Sequence, residues 1–473
     1  MVCMTSDDHG RGMTTTALQD SVWRGSRGLV TIGLFSLAFM VAFEALAVVT
    51  VMPVVAEDLD GLSLYAVAFA APVAVSILSR TVAAPWIDRD GPAPALRWGV
   101  AGFVTGLVVS GVAPTMQVFL VGRAVQGVGM GMIGVALYVV VAQAYPPHLR
   151  PRAMTVLTSA WMLPAVVGPA LAGAIAHVAG WRPVFLPAPV LALVCLALTW
   201  RSVGSLAGSG TSTGPRRVSP SLAALVTAAV LLLAVAGQRT LPGWAVLLGV
   251  SLVTIVVTAP RLVPRGTWSG GAGLPSLVGG RSLLAAAYFS AESYVPLALV
   301  ELRGMSTAQA GFALTAAALA WFAGSWLVAH PERCGALLAT PARRGLVGAA
   351  GIVLGVLAGP LVLVPWIPSP AVALMWAFGG LGMGAAMSAV SVQVLDVSAA
   401  GEEGSNSAAL QTAESITESS IVAVGSVVFA LVLVHGITPA LQAVFVMAPV
   451  VALLGLGLLR RGYVPVGDPS STR

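Results

Sequence analysis

The sequence predicts an all-α polytopic membrane protein, and three features of the 473-residue chain lead to this prediction. Hydrophobic residues make up 57% of the chain and charged residues only 9%, whereas soluble domains carry about 25% charged residues. Apolar runs of about 18 residues or more, each long enough to cross a hydrocarbon core of about 30 Å, recur from one end to the other. The breaks between these runs contain most of the arginines.

Fourteen such runs, separated by polar or Gly/Pro-rich breaks, are predicted to be transmembrane helices. The predicted spans are residues 30–52, 63–84, 97–114, 117–143, 153–178, 183–202, 221–237, 242–259, 281–300, 307–330, 345–366, 370–395, 406–434 and 438–460. Gly/Ser/Pro-rich segments precede the seventh span and follow the eighth, and we expect them to be flexible cytoplasmic connectors.

The distribution of positive charge supports this count and indicates the orientation of the chain. All 24 basic residues are arginines. With the N-terminus in the cytoplasm, only Arg182, Arg239 and Arg303 fall in external loops, and Arg123 is the only basic residue set well inside a span. The others lie on the cytoplasmic side, as the positive-inside rule requires. We therefore predict N-in/C-in topology and no nucleic-acid partner, because the net charge of +6 reflects orientation.

Several function classes are excluded by what the sequence lacks. A chain without lysine has no GxxxxGK[ST] loop, so it does not hydrolyse ATP through that motif. The five histidines are dispersed, and neither HExxH nor CxxC spacing occurs, so no metal and no other cofactor is predicted. No nucleophile and base pair is apparent, so an enzyme is not predicted. If the protein moves a solute, an ion gradient is the expected energy source.

Four carboxylates remain inside the predicted spans: Glu44, Glu292, Glu414 and Glu418. A charge at the centre of a helix costs about 2.5 to 3.5 kcal/mol on insertion scales, so it is usually retained for function. Glu44 and Glu292 approach the midplane of their spans. Glu414 and Glu418 are four residues apart and share a helix face, so they form a candidate second protonation pair. The alternative for this pair is simple exposure to water near the cytoplasmic end.

Three motifs lie between or within the spans and suit a membrane protein whose helices move. Proline removes a backbone donor and glycine lets helices approach closely, although small residues also serve simple packing. The segments are WIDRDGPA after the second span, VGRAVQG in the fourth and VGPALAG in the fifth, which contain Asp88, Arg89, Gly91, Gly122, Arg123, Gln126, Gly127, Gly168, Pro169 and Gly173.

On these motifs the chain resembles the major facilitator superfamily, and more closely its fourteen-spanner drug:proton antiporter branch. The family's loop motif GxLaDrxGrr aligns with residues 84–93, but the first glycine and the final basic pair are replaced. The helix 4 motif GRxxqG matches fully, and the helix 5 antiporter motif matches in part. The first span also keeps the family's interval between a carboxylate and a proline, here Glu44 and Pro53.

The resemblance implies a major facilitator fold with alternating access around a midplane site. It divides the chain into an N-terminal six-helix bundle at 29–203, linkers with two inserted helices at 204–280, and a C-terminal six-helix bundle at 281–462. Residues 1–28 and 463–473 would be cytoplasmic tails, the first of them disordered.

The resemblance further implies that Glu44, Arg123 and Glu292 belong to helices that line the central cavity. The hypothesis is that Glu44 carries a proton, Arg123 sets its proton affinity and couples it to the conformational change, and Glu292 attracts substrate or is a second protonation site. A fixed structural ion pair of Arg123 with one glutamate is the alternative. Tyr138 and Tyr288 are candidate cavity residues, although tyrosine is also a common interface anchor.

The sequence therefore predicts a proton-coupled antiporter that exports amphiphilic, cationic small molecules such as drugs. It is expected to act as a monomer in the lipid bilayer of a bacterial plasma (inner) membrane. Export of a lipid or an endogenous metabolite through a lateral opening is an alternative. A non-transporting membrane scaffold or sensor is another, supported by the incomplete loop motif.

Overall fold

A computed structural model describes residues 22–463 except residues 24, 66, 147–148, 186, 205–218, 238–242, 331–337 and 399–402. The described residues form helices joined by turns, and no strand occurs among them. The predicted tails and the first predicted connector lie almost wholly outside the described residues. The α-helices are α1 (Gly25–Asp58), α2 (Val67–Asp90), α3 (Pro92–Gly111), α4 (Met116–Ala144), α5 (Arg150–Ser159), α6 (Met162–Ala179), α7 (Pro187–Gly204), α8 (Pro220–Ala236), α9 (Trp244–Leu262), α10 (Leu274–Arg303), α11 (Thr307–Ala329), α12 (Pro341–Val356), α13 (Ala358–Leu361), α14 (Ser369–Asp396), α15 (Glu403–Leu433) and α16 (Ile437–Gly462).

The helices confirm the prediction of an all-α polytopic membrane protein. Within the described part of the chain, 11 helical segments are long and apolar enough to cross a membrane. Three shorter apolar helices, Val167–Ala179, Arg182–Val194 and Pro220–Ala236, occupy the positions of the remaining predicted spans. The count of fourteen spans and the N-in/C-in topology stay predictions.

Two predicted helices are interrupted, and a proline explains each interruption. The predicted helix 153–178 is divided into α5 and α6 at Ala160 and Trp161. Pro164 follows Ala160 by four positions, and a proline ring clashes with the carbonyl four residues before it. In the same way α12 ends at Val356, four positions before Pro360, and the short helix α13 follows. The helical hydrogen-bond ladder therefore breaks where these two prolines oppose it.

Helix α10 begins at Leu274, before the start at Arg281 that the sequence predicted. Pro275 occupies its first turn, where an absent N–H costs nothing, and Gly273 precedes it with a positive φ of 74°. The second predicted connector is therefore helical in its last part. As a result Arg281 lies inside a span, and Arg80 also lies inside α2. The prediction that Arg123 is the only basic residue well inside a span is wrong.

Helices pack against one another within each predicted bundle, and apolar side chains are exposed on the surface that would face lipid. In the predicted N-terminal bundle α4 packs on α2 and α3, and α1 packs on α6 and α7. In the predicted C-terminal bundle α14 packs on α11 and α12, and α10 packs on α15 and α16. Exposed valines cover much of α9, for example Val246, Val253 and Val256. The bounds of the two bundles stay a prediction.

Three sets of contacts join the predicted bundles. Helix α6 packs on α11, α2 packs on α15, and α1 contacts α10 and α11. At the predicted external end, the ring of Tyr65 lies 5.6 Å from that of Tyr294, and the Tyr294 ring lies 5.1 Å from that of Phe429. Because Tyr65 and Tyr294 come from different predicted bundles, these rings bring the bundles into contact at that end.

The helix 5 antiporter motif forms the contact between α6 and α11. A Cβ atom added at Gly173 would lie 2.8 Å from the Cα atom of Ala308, and one added at Gly311 would lie 2.6 Å from the carbonyl oxygen of Pro169. Both distances are too short for carbon atoms in contact. The backbones of α6 and α11 therefore touch directly, which only glycine at these positions permits.

Helix α8, the first of the two inserted helices, packs on both α2 and α15. Thr227 of α8 donates a hydrogen bond from Oγ1 to the carbonyl oxygen of Ala74 on α2, at 2.9 Å. A Cβ atom added at Gly237 would lie 2.9 Å from the Cα atom of Val427 on α15. Helix α9 packs on α8 and also contacts α15. The interface between α2 and α15 is thus covered by the insertion.

The close contact of α6 and α11 leads to a stability prediction. We expect Gly311→Val to lower the free energy of unfolding by about 1–3 kcal/mol, because overpacking forces the two backbones apart. Gly249→Val is the matched control, since a Cβ atom at Gly249 would meet nothing within 4 Å. Denaturant unfolding of the purified protein in detergent measures both variants. Equal stability of the two variants would contradict a direct backbone contact.

Candidate functional site

A buried ion pair joins the middle of α1 to α4. Arg123 donates a hydrogen bond from Nη1 to Oε1 of Glu44. The two side chains are only 5% and 4% exposed. Neither charge could be placed in this apolar environment alone, because breaking a buried pair by removing one partner costs about 3–5 kcal/mol. The structure therefore brings together two of the three residues that the sequence assigned to proton coupling.

Arg123 makes further hydrogen bonds, but some polar atoms around it have no hydrogen-bond partner among the described residues. Its Nε donates to the carbonyl oxygen of Ala68 at 3.0 Å, and its Nη1 also donates to Oε1 of Gln126. The second carboxylate oxygen of Glu44 and the amide nitrogen of Gln126 have no hydrogen-bond partner among the described residues. Buried polar atoms without partners are rare in folded proteins. The pair therefore leaves one carboxylate oxygen and one amide nitrogen of the site without hydrogen bonds in the described part of the chain.

The glycines of the helix 4 motif place Arg123 by letting α4 approach its neighbours. A Cβ atom added at Gly122 would lie 2.4 Å from Oγ of Ser110 on α3. One added at Gly127 would lie 2.4 Å from the carbonyl oxygen of Pro72 on α2. Both positions thus require glycine, and together they fix the depth at which α4 presents Arg123 to α1.

Glu292 has different neighbours from those of the Glu44–Arg123 pair. Glu292 is partly buried on α10, and its carboxylate is close enough to Glu418 of α15 for the two to interact electrostatically. Among the described residues, no hydrogen bond or ion pair joins Glu292 to Glu44 or Arg123. The predicted trio thus divides into the Glu44–Arg123 pair and a separate carboxylate that faces α15.

The two candidate cavity tyrosines occupy different environments. The ring of Tyr288 is buried and stacks on Trp376 with centroids 4.7 Å apart. The ring of Trp321 meets Tyr288 edge to face. Tyr138 on α4 is 45% exposed. Tyr288 therefore packs in a buried aromatic cluster, whereas the side chain of Tyr138 is accessible. A role for either residue in substrate binding stays a prediction.

Glu414 and Glu418 lie beside two arginines that sequence reasoning did not assign to a site. Nη1 of Arg281 lies 3.3 Å from Oε2 of Glu414, and the Glu414 side chain is only 19% exposed. Arg80 donates from Nη1 to Oγ of Ser415 at 3.1 Å. The pair is therefore mostly buried and compensated, which disfavours simple exposure to water. Arg80 already falls inside the second predicted span, 63–84, and starting the ninth predicted span about two turns earlier would have placed Arg281 well inside the membrane too.

Residues 84–90 of the loop motif belong to the C-terminal end of α2, and the motif is described only in part. Arg89 and Asp90 form an exposed ion pair at 2.8 Å. The hydrogen bond from Arg89 lowers the pKa of the Asp90 carboxyl. Gly91 has φ 82°, a value that favours glycine, and it ends the turn before α3. The side chain of Asp88 lies outside the described residues. In the helix 5 motif, a Cβ atom at Gly168 would reach only ordinary contact with Phe43, at 3.5 Å.

Comparison with known proteins identifies the family. The model of the Major Facilitator Superfamily matches residues 34–420, so the chain belongs to this superfamily of membrane transporters, which are not enzymes. A probable multidrug-efflux transporter of Mycobacterium tuberculosis (strain H37Rv) is 27% identical over 423 residues, which cover 84% of this chain and 87% of that protein. The multidrug efflux pump SdrM of Staphylococcus aureus is 23% identical over 175 residues, 36% of this chain and 39% of that protein.

Solved structures support the same fold. A crystal structure of a POT family transporter in complex with a thioalcohol-conjugated peptide superposes with a TM-score of 0.66 at 15% identity, covering 93% of this chain and 97% of that chain. The human organic anion transporter MFSD10 superposes with a TM-score of 0.56 at 16% identity, covering 92% of this chain and 100% of that chain. At these identities the likeness shows the fold alone. The predicted major facilitator fold is confirmed.

The buried pair leads to a double-mutant prediction. We expect Glu44→Gln and Arg123→Gln each to destabilise the protein by about 3–5 kcal/mol, because each leaves one buried charge without its partner. The double variant should be less destabilised than the sum of the two, with a coupling energy of about 1–3 kcal/mol. Denaturant unfolding in detergent measures the cycle. Glu57→Gln, an exposed site on the same helix, is the matched control; additive effects would indicate that the pair does not interact.

Proposed function

We propose that this transporter is a proton-coupled antiporter that exports amphiphilic, cationic small molecules by alternating access. It would act as a monomer in a bacterial plasma membrane, with protons as the coupling ion. The observation that carries the proposal is the ion pair of Glu44 and Arg123, buried in the middle of α1 and α4. The multidrug-efflux names of relatives that match most of the chain give independent support.

Glu44 is the proposed proton carrier because its charge state decides the partners of Arg123. When the carboxylate is ionised, Arg123 donates to it; when Oε2 takes a proton, the attraction falls and the guanidinium relies on Gln126 and Ala68. Such a change alters the contact between α1 and α4. Helix α1 also contacts α10 and α11, so a shift of α1 reaches the predicted C-terminal bundle. This route links protonation to movement of the bundles.

Glu292 is the proposed substrate-facing carboxylate or second protonation site. It has no hydrogen-bond or ion-pair partner among the described residues, and its interacting neighbour Glu418 is also acidic. A negative potential from two carboxylates attracts organic cations. Aromatic rings lie nearby, since Tyr288 precedes Glu292 by one helical turn and stacks on Trp376. Charge and aromatic surface together suit an amphiphilic cation.

The packing gives less support to export of a lipid through a lateral opening. The α2–α15 interface is covered by α8, and the α6–α11 interface is closed by direct backbone contact. A lipid would need one of these interfaces to open toward the bilayer. The intact buried pair likewise gives less support to a non-transporting scaffold, because a scaffold has no need of a buried charge pair that costs desolvation energy.

The first test is transport in liposomes under an imposed pH gradient, followed with a cationic fluorescent dye. The wild type should accumulate dye against its gradient. Glu44→Gln should abolish the accumulation while downhill dye counterflow persists, because only the proton site is lost. Glu57→Gln, exposed on the same helix, should behave as the wild type.

The other outcomes of this experiment would indicate a different proton-binding residue or a different function. Accumulation that persists in Glu44→Gln would move the proton to Glu292 or to Glu414 and Glu418, and would leave the buried pair as a structural one. A wild type that moves none of several cationic dyes, in either assay, would exclude the proposed substrate class and turn attention to lipid export or a scaffold.

A second test concerns the substrate. Glu292→Gln should raise the KM for a cationic dye by about tenfold or more, as expected for the loss of one charge contact in a partly dry site. The KM for a neutral amphiphile of similar size should change little. Glu301→Gln is the matched control, because Glu301 lies on the same helix and is exposed. Equal effects on charged and neutral substrates would rule out a charge contact at Glu292.

A further inference from the structure

A cluster of charged side chains connects the two predicted bundles where α2 packs on α15. Arg80 of α2 donates a hydrogen bond from Nη1 to Oγ of Ser415, at 3.1 Å. Its guanidinium also interacts electrostatically with Glu418 and Glu414, which flank Ser415 along α15. We call Arg80, Glu414, Ser415 and Glu418 the α2–α15 charge cluster. Through it, a cation of the predicted N-terminal bundle contacts the acidic face of the predicted C-terminal bundle.

Arg281 compensates one carboxylate of this cluster from within the C-terminal bundle. Its Nη1 lies 3.3 Å from Oε2 of Glu414, and its Nε donates to Sδ of Met387 at 3.2 Å. Arg281, Met387 and Glu414 all lie on helices of the predicted C-terminal bundle. Glu414 therefore keeps its counterion when the bundles move, whereas the cation that interacts with Glu418 among the described residues is Arg80, from the other bundle.

The partners of Arg80 differ from those of Arg123 in a way that matters for movement. The hydrogen-bond acceptors of Arg123 are Glu44, Gln126 and Ala68, all in the predicted N-terminal bundle. That ion pair cannot itself resist separation of the bundles. The acceptor of Arg80 is on α15, so separation of α2 from α15 breaks its contact directly.

The guanidinium of Arg80 also uses only part of its hydrogen-bonding capacity. Its Nε is buried and has no hydrogen-bond partner among the described residues. A guanidinium inside a span is costly unless it is paired, so the attraction of Glu418 and Glu414 must compensate for much of its burial. One direct hydrogen bond together with this attraction is enough to favour the contact, and a contact of this kind can be broken and formed again as the helices move.

We propose that Arg80 is a positioning residue of the transport cycle: its guanidinium holds α2 against α15 through Ser415 and Glu418, and its release accompanies the separation of the two helices. Arg80 lies near the middle of α2, so the contact ties α2 to α15 inside the membrane. The proposal rests on the proposed transport function in assuming alternating access, but it requires neither a particular substrate nor protons.

The test is a distance measurement by pulsed electron paramagnetic resonance in lipid nanodiscs, without substrate. Spin labels are attached at Val82→Cys and Gln411→Cys, which are exposed positions on α2 and α15, after replacement of the three native cysteines. Arg80→Gln should increase the population with α2 and α15 apart by roughly tenfold relative to the parent, as for the loss of a partly buried ion pair. Glu418→Gln should act in the same direction, and provides the test if Arg80→Gln does not fold.

Arg281→Gln is the matched control, because it removes a neighbouring arginine whose partners lie within one predicted bundle. It should leave the distance distribution unchanged. The exchange of charges in Arg80→Glu with Glu418→Arg should restore the parent distribution, which a loss of packing alone would not do. Unchanged distances in both Arg80→Gln and Glu418→Gln, or an equal shift in Arg281→Gln, would overturn the proposal. Because the measurement uses no substrate, this failure is distinguishable from failure of dye transport.

Discussion

The cost of placing charge in an apolar membrane span is the constraint on which this structure depends. The chain pairs several of its intramembrane charges, most completely in the contact of Glu44 with Arg123. That contact requires α4 to lie deep against its neighbours, which the glycines at 122 and 127 permit. The local packing of three helices thus follows from the need to compensate one buried arginine.

Three arginines well inside the described spans are compensated over different ranges. Arg123 is satisfied within the predicted N-terminal bundle, Arg281 within the predicted C-terminal bundle, and Arg80 across the boundary between them. Charges paired within a bundle move with it and retain their partners. A charge paired across the boundary changes its surroundings whenever the bundles move. Arg123 and Arg281 therefore stabilise single bundles, whereas Arg80 positions the two predicted bundles relative to each other.

Much of the fold could be predicted from the sequence, because apolar length and arginine placement are local properties. Most helices begin and end within a few residues of the predicted spans, while the count of fourteen stays a prediction. The interruptions after Ser159 and Val356 follow from Pro164 and Pro360 by a rule that could have been applied beforehand. The early start of α10 was harder to see, because its first residues are rich in glycine and serine and resemble a connector.

The site was less predictable, because pairing depends on distances between helices. The motif resemblance indicated that Glu44, Arg123 and Glu292 lie near one cavity, but it could not tell which glutamate Arg123 contacts. Arg80 was missed although it lies inside the predicted span 63–84, because no local sequence pattern indicates which residues of a distant helix it contacts. Only the packing of α2 on α15 shows that its partners lie in the other predicted bundle.

The position of α8 restricts the geometry of any motion between the bundles. Because α8 contacts both α2 and α15, a simple parting of those helices would strip it from one of them and leave its small-residue face uncovered. A rotation about an axis perpendicular to α8 would instead open one end of the α2–α15 interface while the other end stays packed. Thr227 and Gly237, which contact α2 and α15 at different heights, would then move through unequal arcs. The insertion thereby favours tilting over translation as the mode of motion.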